Sequence, residues 1–199
     1  MATRTVFQQH GPVRLIAFGG FNIVWYFRTR QSTYDLDFYH PGPISANGNT
    51  FQEVPADVVR ELENLIARVA RRQSILPLSW ANDAATLFVD RTLQANNIIH
   101  RSFQQNIILY QSDQLVIYMG DLVFQLAQKL WLMNHRNRRS TDRSDAASFA
   151  SYFLRFRGHN MTVQELQTQW PQLMSTVSQT EIDEVNDVAQ TVYHRNVLE

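Results

Sequence analysis

The chain has 199 residues, is 44% hydrophobic and 18% charged, and carries no net charge. That is the composition of an ordinary folded domain, not of a disordered chain, and no global field steers it toward nucleic acid or an anionic membrane. The absence of cysteine excludes disulfides, thiolate metal sites and a cysteine nucleophile. The segment Met1 to Pro12 lacks a charged-then-apolar leader pattern, and no apolar run is long enough to span a bilayer, so the expectation is a cytoplasmic protein with no membrane role.

Leu15-Ile16-Ala17-Phe18 ends a short apolar run from residue 13, as a buried strand does, and meets Gly19-Gly20. Asn22 to Arg28 is predicted as a helix, apolar nearly all round. Thr33 to Tyr39 reads as a second strand carrying Asp35 and Asp37, and His40-Pro41-Gly42-Pro43 ends it. Pro55 to Arg72 is the clearest helix, with an apolar stripe through Val58, Leu62, Leu65 and Val69 and with Arg71 and Arg72 at its C-terminal end.

Ile75 to Leu78 is a short strand candidate. Trp80-Ala81-Asn82-Asp83 offers a cap for a helix from Ala84 to Val89. Asp90 to Gln105 is polar and ambiguous. Ile107 to Tyr110 and Leu115 to Met119 read as a hairpin. A helix opening at Gly120 and Asp121 runs past Lys129 to Asn134. Three further helices are expected: Asp145 to Phe156, closed by Gly158; Val163 to Trp170; and, beyond Pro171, Glu181 to Arg195. The expected plan is a small mixed-sheet α/β (α+β) core over residues 1–123 and a helical part over 124–199.

Two carboxylates at i and i+2 on an extended segment share a face and repel each other unless a cation lies between them. A glycine turn lets backbone N–H groups approach a phosphate. Asp35 and Asp37 downstream of Gly19-Gly20 therefore suggest a divalent ion held against a polyphosphate. The alternative is that both acids cap turns or pair with Arg28 and Arg30. Lys129 is the only lysine in the chain. It either marks a place where a compact ammonium is required or is a snorkelling surface residue. Asp142 and Asp145, three apart on one helix face, are expected to pair with Arg138, Arg139 or Arg143.

Strand, Gly19-Gly20, helix, then Arg30, Thr33 and Asp35-x-Asp37 resembles the nucleotidyltransferase superfamily of the polymerase-β-like fold, in its small stand-alone, toxin-like branch. Leu78-Ser79-Trp80-Ala81-Asn82-Asp83 and Leu126-Ala127-Gln128-Lys129-Leu130 with Asp142 and Asp145 extend the likeness over residues 13 to 153. The resemblance implies a Mg²⁺-dependent transfer of a nucleotidyl group from a nucleoside triphosphate to tRNA, another RNA, a protein or a small molecule. It implies Asp35 and Asp37 as metal ligands, with Asp83 the first candidate for a third carboxylate and Asp90, Asp113 and Asp121 behind it. Gly19, Gly20, Arg30, Thr33 and Lys129 would bind nucleotide. Trp80, Asn82, Arg136 and Arg139 would face the acceptor. The C-terminal helices offer a surface for a partner protein.

Two positions depart from the pattern. Phe21-Asn22 follows the glycines where a small residue is usual, and Thr141 stands where a lysine is expected. These departures suit an alternative in which the fold serves aminoacyl-tRNA-dependent transfer, or nucleotide or RNA binding without nucleotidyl transfer.

Overall fold

The computed structural model describes residues 6–7, 12–29, 31–33, 35–42, 54–73, 80–89, 95–135 and 140–199. The chain divides into two compact units, one of Met1–Tyr26 with Arg30–Gly120, the other of Phe27–Thr29 with Asp121–Glu199. Among the described residues, no helix is long and apolar enough to cross a membrane.

The first unit is built on a mixed sheet. Strand β1 (Val13–Phe18) is the apolar run seen in the sequence, buried at every position except Arg14. That profile belongs to a strand flanked on both sides. β1 pairs antiparallel with β2 (Leu36–Tyr39) and parallel with β5 (Leu115–Met119). β3 (Ala81–Asn82) runs parallel beside β2, and β4 (Ile108–Gln111) antiparallel beside β5, giving the order β3-β2-β1-β5-β4. The sheet is thus mixed, not doubly wound.

The segment after the glycines departs from a regular helix. A single turn, α1 (Gly20–Asn22), passes into a π-helical turn over Ile23–Phe27. Nearly every residue there is apolar, so sequence periodicity gives no sign of the change. Arg28 then takes a left-handed conformation, φ 57°. Helix α2 (Ala56–Arg72) follows the predicted stripe, with Pro55 standing one residue before it. The predicted strand at Ile75 to Leu78 lies outside the described residues. The short β3 begins three residues after the predicted end, and α3 (Ala85–Val89) follows. The ambiguous polar stretch resolves into helix α4 (Ala95–Gln105).

The second unit is helical. Asp121 accepts a 2.7 Å bond from the Phe124 N–H and caps α5 (Leu122–Met133), whose buried face includes Phe124, Leu126 and Leu130. α6 (Ser140–Arg157) packs against it and begins five residues before the predicted start. Gly158, φ 80°, ends α6 as expected. α7 (Val163–Gln169), the short α8 (Pro171–Met174) and α9 (Gln179–Tyr193) complete the unit. Reciprocal capping boxes, Thr162 with Glu165 and Ser178 with Glu181, start α7 and α9. Phe27 stacks edge-on against Phe149 and Tyr152, and Thr29 shares a 2.9 Å hydroxyl contact with Ser148.

Candidate functional site

Gly19 closes β1 at φ 68°, ψ −141°, a conformation available essentially to glycine alone. Gly20 opens the helical turn behind it. Opposite this bend, Asp37 is the register partner of Phe18. Its Oδ2 lies 3.7 Å from the point a Cβ on Gly19 would occupy. The carboxylate therefore stands directly against the glycine turn. The expected strand from Thr33 begins only at Leu36, so Asp35 stands just before β2 rather than within it; it is half-buried like Asp37, while Leu36 between them is buried. This alternation puts the two acids on one face. Thr33 Oγ1 donates to the Asp35 carbonyl at 3.3 Å and steadies the entry to the strand.

The other edge of β2 brings Asn82 into register with Asp37. Asn82 Oδ1 accepts from the Ala84 N–H at 2.8 Å, so its side chain is fixed by the turn into α3. Asp83, the next residue, is exposed, and its carbonyl accepts from Thr86 N at 2.8 Å. Strand alternation thus sets Asn82, not Asp83, beside Asp37. Trp80 donates its indole N–H to the Ile66 carbonyl of α2 at 3.1 Å. Of the other third-carboxylate candidates, Asp113 is exposed in the hairpin turn, Asp121 is the α5 cap, and Asp90 lies outside the described residues. Arg30, Arg136 and Arg139 also lie outside them.

Phe21 and Asn22 have definite local roles. The Phe21 ring stacks on Trp25 at 6.0 Å, and the Trp25 indole donates to the Leu109 carbonyl of β4 at 3.1 Å. The stack is thereby anchored on the β4 side of β1, opposite β2. Asn22 Nδ2 donates to the Ala17 carbonyl at 2.9 Å and ties the helical turn to the strand it leaves.

In the helical unit, Lys129 Nζ lies 2.8 Å from Asp142 Oδ1 and 3.0 Å from Asp145 Oδ2. The acids' side chains are 2% and 0% exposed, the lysine's 12%. Both acids pair with Lys129; of the arginines expected beside them, Arg138 and Arg139 lie outside the described residues, and Arg143 lies 3.9 Å from Glu184 of α9. A compact ammonium serves two carboxylates at once where a guanidinium fork would need a wider gap. The lysine and acidic elements, 13 residues apart at the nearest, are one buried ionic cluster. Sequence spacing identified its members but not their pairing.

Among the described residues, no three His, Asp or Glu side chains gather as a metal set. Asp35 and Asp37 suit a different mode. Mg²⁺ commonly takes one or two protein carboxylates and completes its shell with water and substrate phosphates. An acid pair at the start of β2, Asp37 within the strand against a glycine bend and Asp35 just before it, fits that donor set.

Residues 49–196 match the family described as a domain of unknown function, DUF7582. The chain belongs to that family. No curated protein matches it, and no solved structure does. The DUF7582 match takes in Trp80, Asn82, Lys129, Asp142 and Asp145, and begins after Asp35 and the strand that carries Asp37.

Proposed function

We infer that this protein transfers a nucleotidyl group from a nucleoside triphosphate to an acceptor hydroxyl, with Asp35 and Asp37 holding Mg²⁺. The observation that carries this reading is the placement of Asp37 against the Gly19 turn, with Asp35 on the same face. The turn's N–H groups seat the polyphosphate. Bound there, Mg²⁺ supplies neutralisation of the charge on the transferring phosphoryl group. Asp35 and Asp37 would hold the cation and so help to orient the α-phosphate. The acceptor oxygen bonds to the α-phosphorus as the bond to pyrophosphate breaks, and the hydroxyl proton passes to a carboxylate of the pair. Positioning and charge neutralisation are the whole contribution, so loss of one carboxylate removes several kcal/mol of barrier lowering, about 10²–10⁴ in rate. Trp80 and Asn82 flank the pair from β3 and the residue before it, on the side from which an acceptor would approach.

The likeness to polymerase-β-like nucleotidyltransferases supports the same reading. Its helical elements meet in the Lys129–Asp142–Asp145 cluster. One observation favours a second reading, that the fold binds nucleotide or RNA without nucleotidyl transfer: the register neighbour of Asp37 is the neutral amide of Asn82. Incubation with nucleoside triphosphates labelled at the α-phosphate, Mg²⁺ and total tRNA or the protein itself separates the two. Label transfer by the native chain, lost in Asp37→Asn, supports the transferase. Metal-dependent nucleotide binding without transfer supports the second reading.

A further inference from the structure

Phe18 shares its sheet face with Asp37, because the two are direct register partners across β1 and β2. Cross-strand neighbours of this kind stand about 5 Å apart at Cα. An aromatic ring at position 18 has the reach to cover the carboxylate, but it lies elsewhere. Its Cε1 and Cδ1 atoms come within 2.4 and 2.5 Å of where a Cβ on Gly120 would stand. Gly120 follows Met119, the β5 partner of Ala17, and so flanks Phe18 on the side opposite Asp37. The ring occupies the space left by the missing side chain.

The backbone at Gly120 has little freedom to yield. Its N–H donates to the Ala17 carbonyl at 2.8 Å. Gln105 Nε2 donates to the Gly120 carbonyl at 2.9 Å and to the Met119 carbonyl at 2.8 Å. A side chain at 120 would therefore displace the ring rather than the strand. Gly120 has no left-handed φ to explain it, so the close approach of Phe18 is what requires glycine here.

We propose that Gly120 is a positioning residue that keeps the Asp37–Gly19 site open by giving the Phe18 ring a berth on the β5 side of β1. This rests on the reading of Asp35 and Asp37 as cation ligands. A methyl group at 120 turns the ring toward β2, where it covers the Asp37 carboxylate with an apolar surface and excludes the cation and its phosphates. Gln105 contributes by pinning the peptide against which the ring lies.

The test is calorimetric titration of the full chain with Mn²⁺ in the presence of a non-hydrolysable nucleoside triphosphate, with circular dichroism to check the fold. Native protein, Gly120→Ala, Phe18→Leu and the double variant are compared. The expected result is a loss of about tenfold or more in cation affinity for Gly120→Ala, near-native affinity for Phe18→Leu, and recovery to within about threefold of native in the double variant, as for two residues in direct contact. Recovery on removing the ring is not expected of a general packing defect. Native-like affinity in Gly120→Ala overturns the proposal, as does a folded double variant that stays weak. If Gly120→Ala alone fails to fold, the double variant decides: folding with binding supports the proposal, while misfolding, or folding without binding, overturns it. Absence of cation binding by the native chain instead removes the underlying site, and the proposal with it.

Discussion

Asp37 Oδ2 stands 3.7 Å from the position a Cβ would take on Gly19, an ordinary contact distance that leaves space for a methyl group. Space is therefore not what demands glycine there. The backbone is, at φ 68° and ψ −141°. Gly19→Ala is expected to lose about 1–3 kcal/mol of stability through backbone strain alone. Urea denaturation measures this, and a loss below about 0.5 kcal/mol would show that the turn relaxes without cost.

The Lys129 cluster makes a larger prediction. Replacing Lys129 by methionine leaves Asp142 and Asp145 buried without their cation, at a cost of about 3–5 kcal/mol. Lys129→Arg is expected to recover little of that, because the site holds a point charge between two acids. Replacing Asp142 and Asp145 by apolar residues in the Lys129→Met background should return much of the stability. Equal melting temperatures for native and Lys129→Met would remove the cluster from the account of the fold.

Much of the plan could be read from the chain, and the failures have physical causes. The apolar runs at 13–18 and 115–119 identified β1 and β5, but their parallel pairing depends on contacts far apart in sequence that no local pattern carries. β3 is not legible in the sequence because two residues leave no periodicity, and because Asn82-Asp83 reads as a cap, which Asn82 also is. The π-helical turn leaves no sequence signal because Ile23–Phe27 is apolar in any helical register. The acid pair and the glycines were legible as residue types. Their contact was not, since it follows from the register of Phe18 with Asp37. Lys129 stood out as the lone lysine, yet its partners lie across a helix–helix packing that adjacent arginines obscure.

The capping box at α7 predicts an acid-sensitive term. The Glu165 carboxyl is held below its ordinary value of 4.5, chiefly by the N–H of Thr162. Because the folded value is the lower one, this stabilisation is complete above about pH 4.5 and fades as pH falls through the folded value. Thr162→Ala should cost about 1 kcal/mol at neutral pH. Glu165→Gln should flatten the acid limb of a plot of stability against pH. An unchanged limb would locate the acid sensitivity elsewhere.

His40 predicts a second, shallower limb. Burial at the end of β2 lowers its imidazole from 6.5, against the raising effect of its contacts with the backbone of His40 and Pro41. The folded state thus resists protonation, and the unfolded chain takes up the proton first. Stability is full above about pH 6.5 and declines as pH falls toward the folded value. His40→Gln should remove this decline below pH 6.5 in chemical denaturation series, whereas a parallel decline in the variant would assign it to another group.

The central claim is that Asp37 and its neighbour Asp35 gather a divalent cation beside a turn that seats a polyphosphate. Isothermal titration of nucleoside triphosphates into the native chain and into Asp37→Ala, each with Mg²⁺ and with a chelator, addresses it most directly. The account predicts binding by the native chain that requires Mg²⁺ and is lost in Asp37→Ala. Equal binding by both proteins, or binding that survives the chelator unchanged, would contradict it.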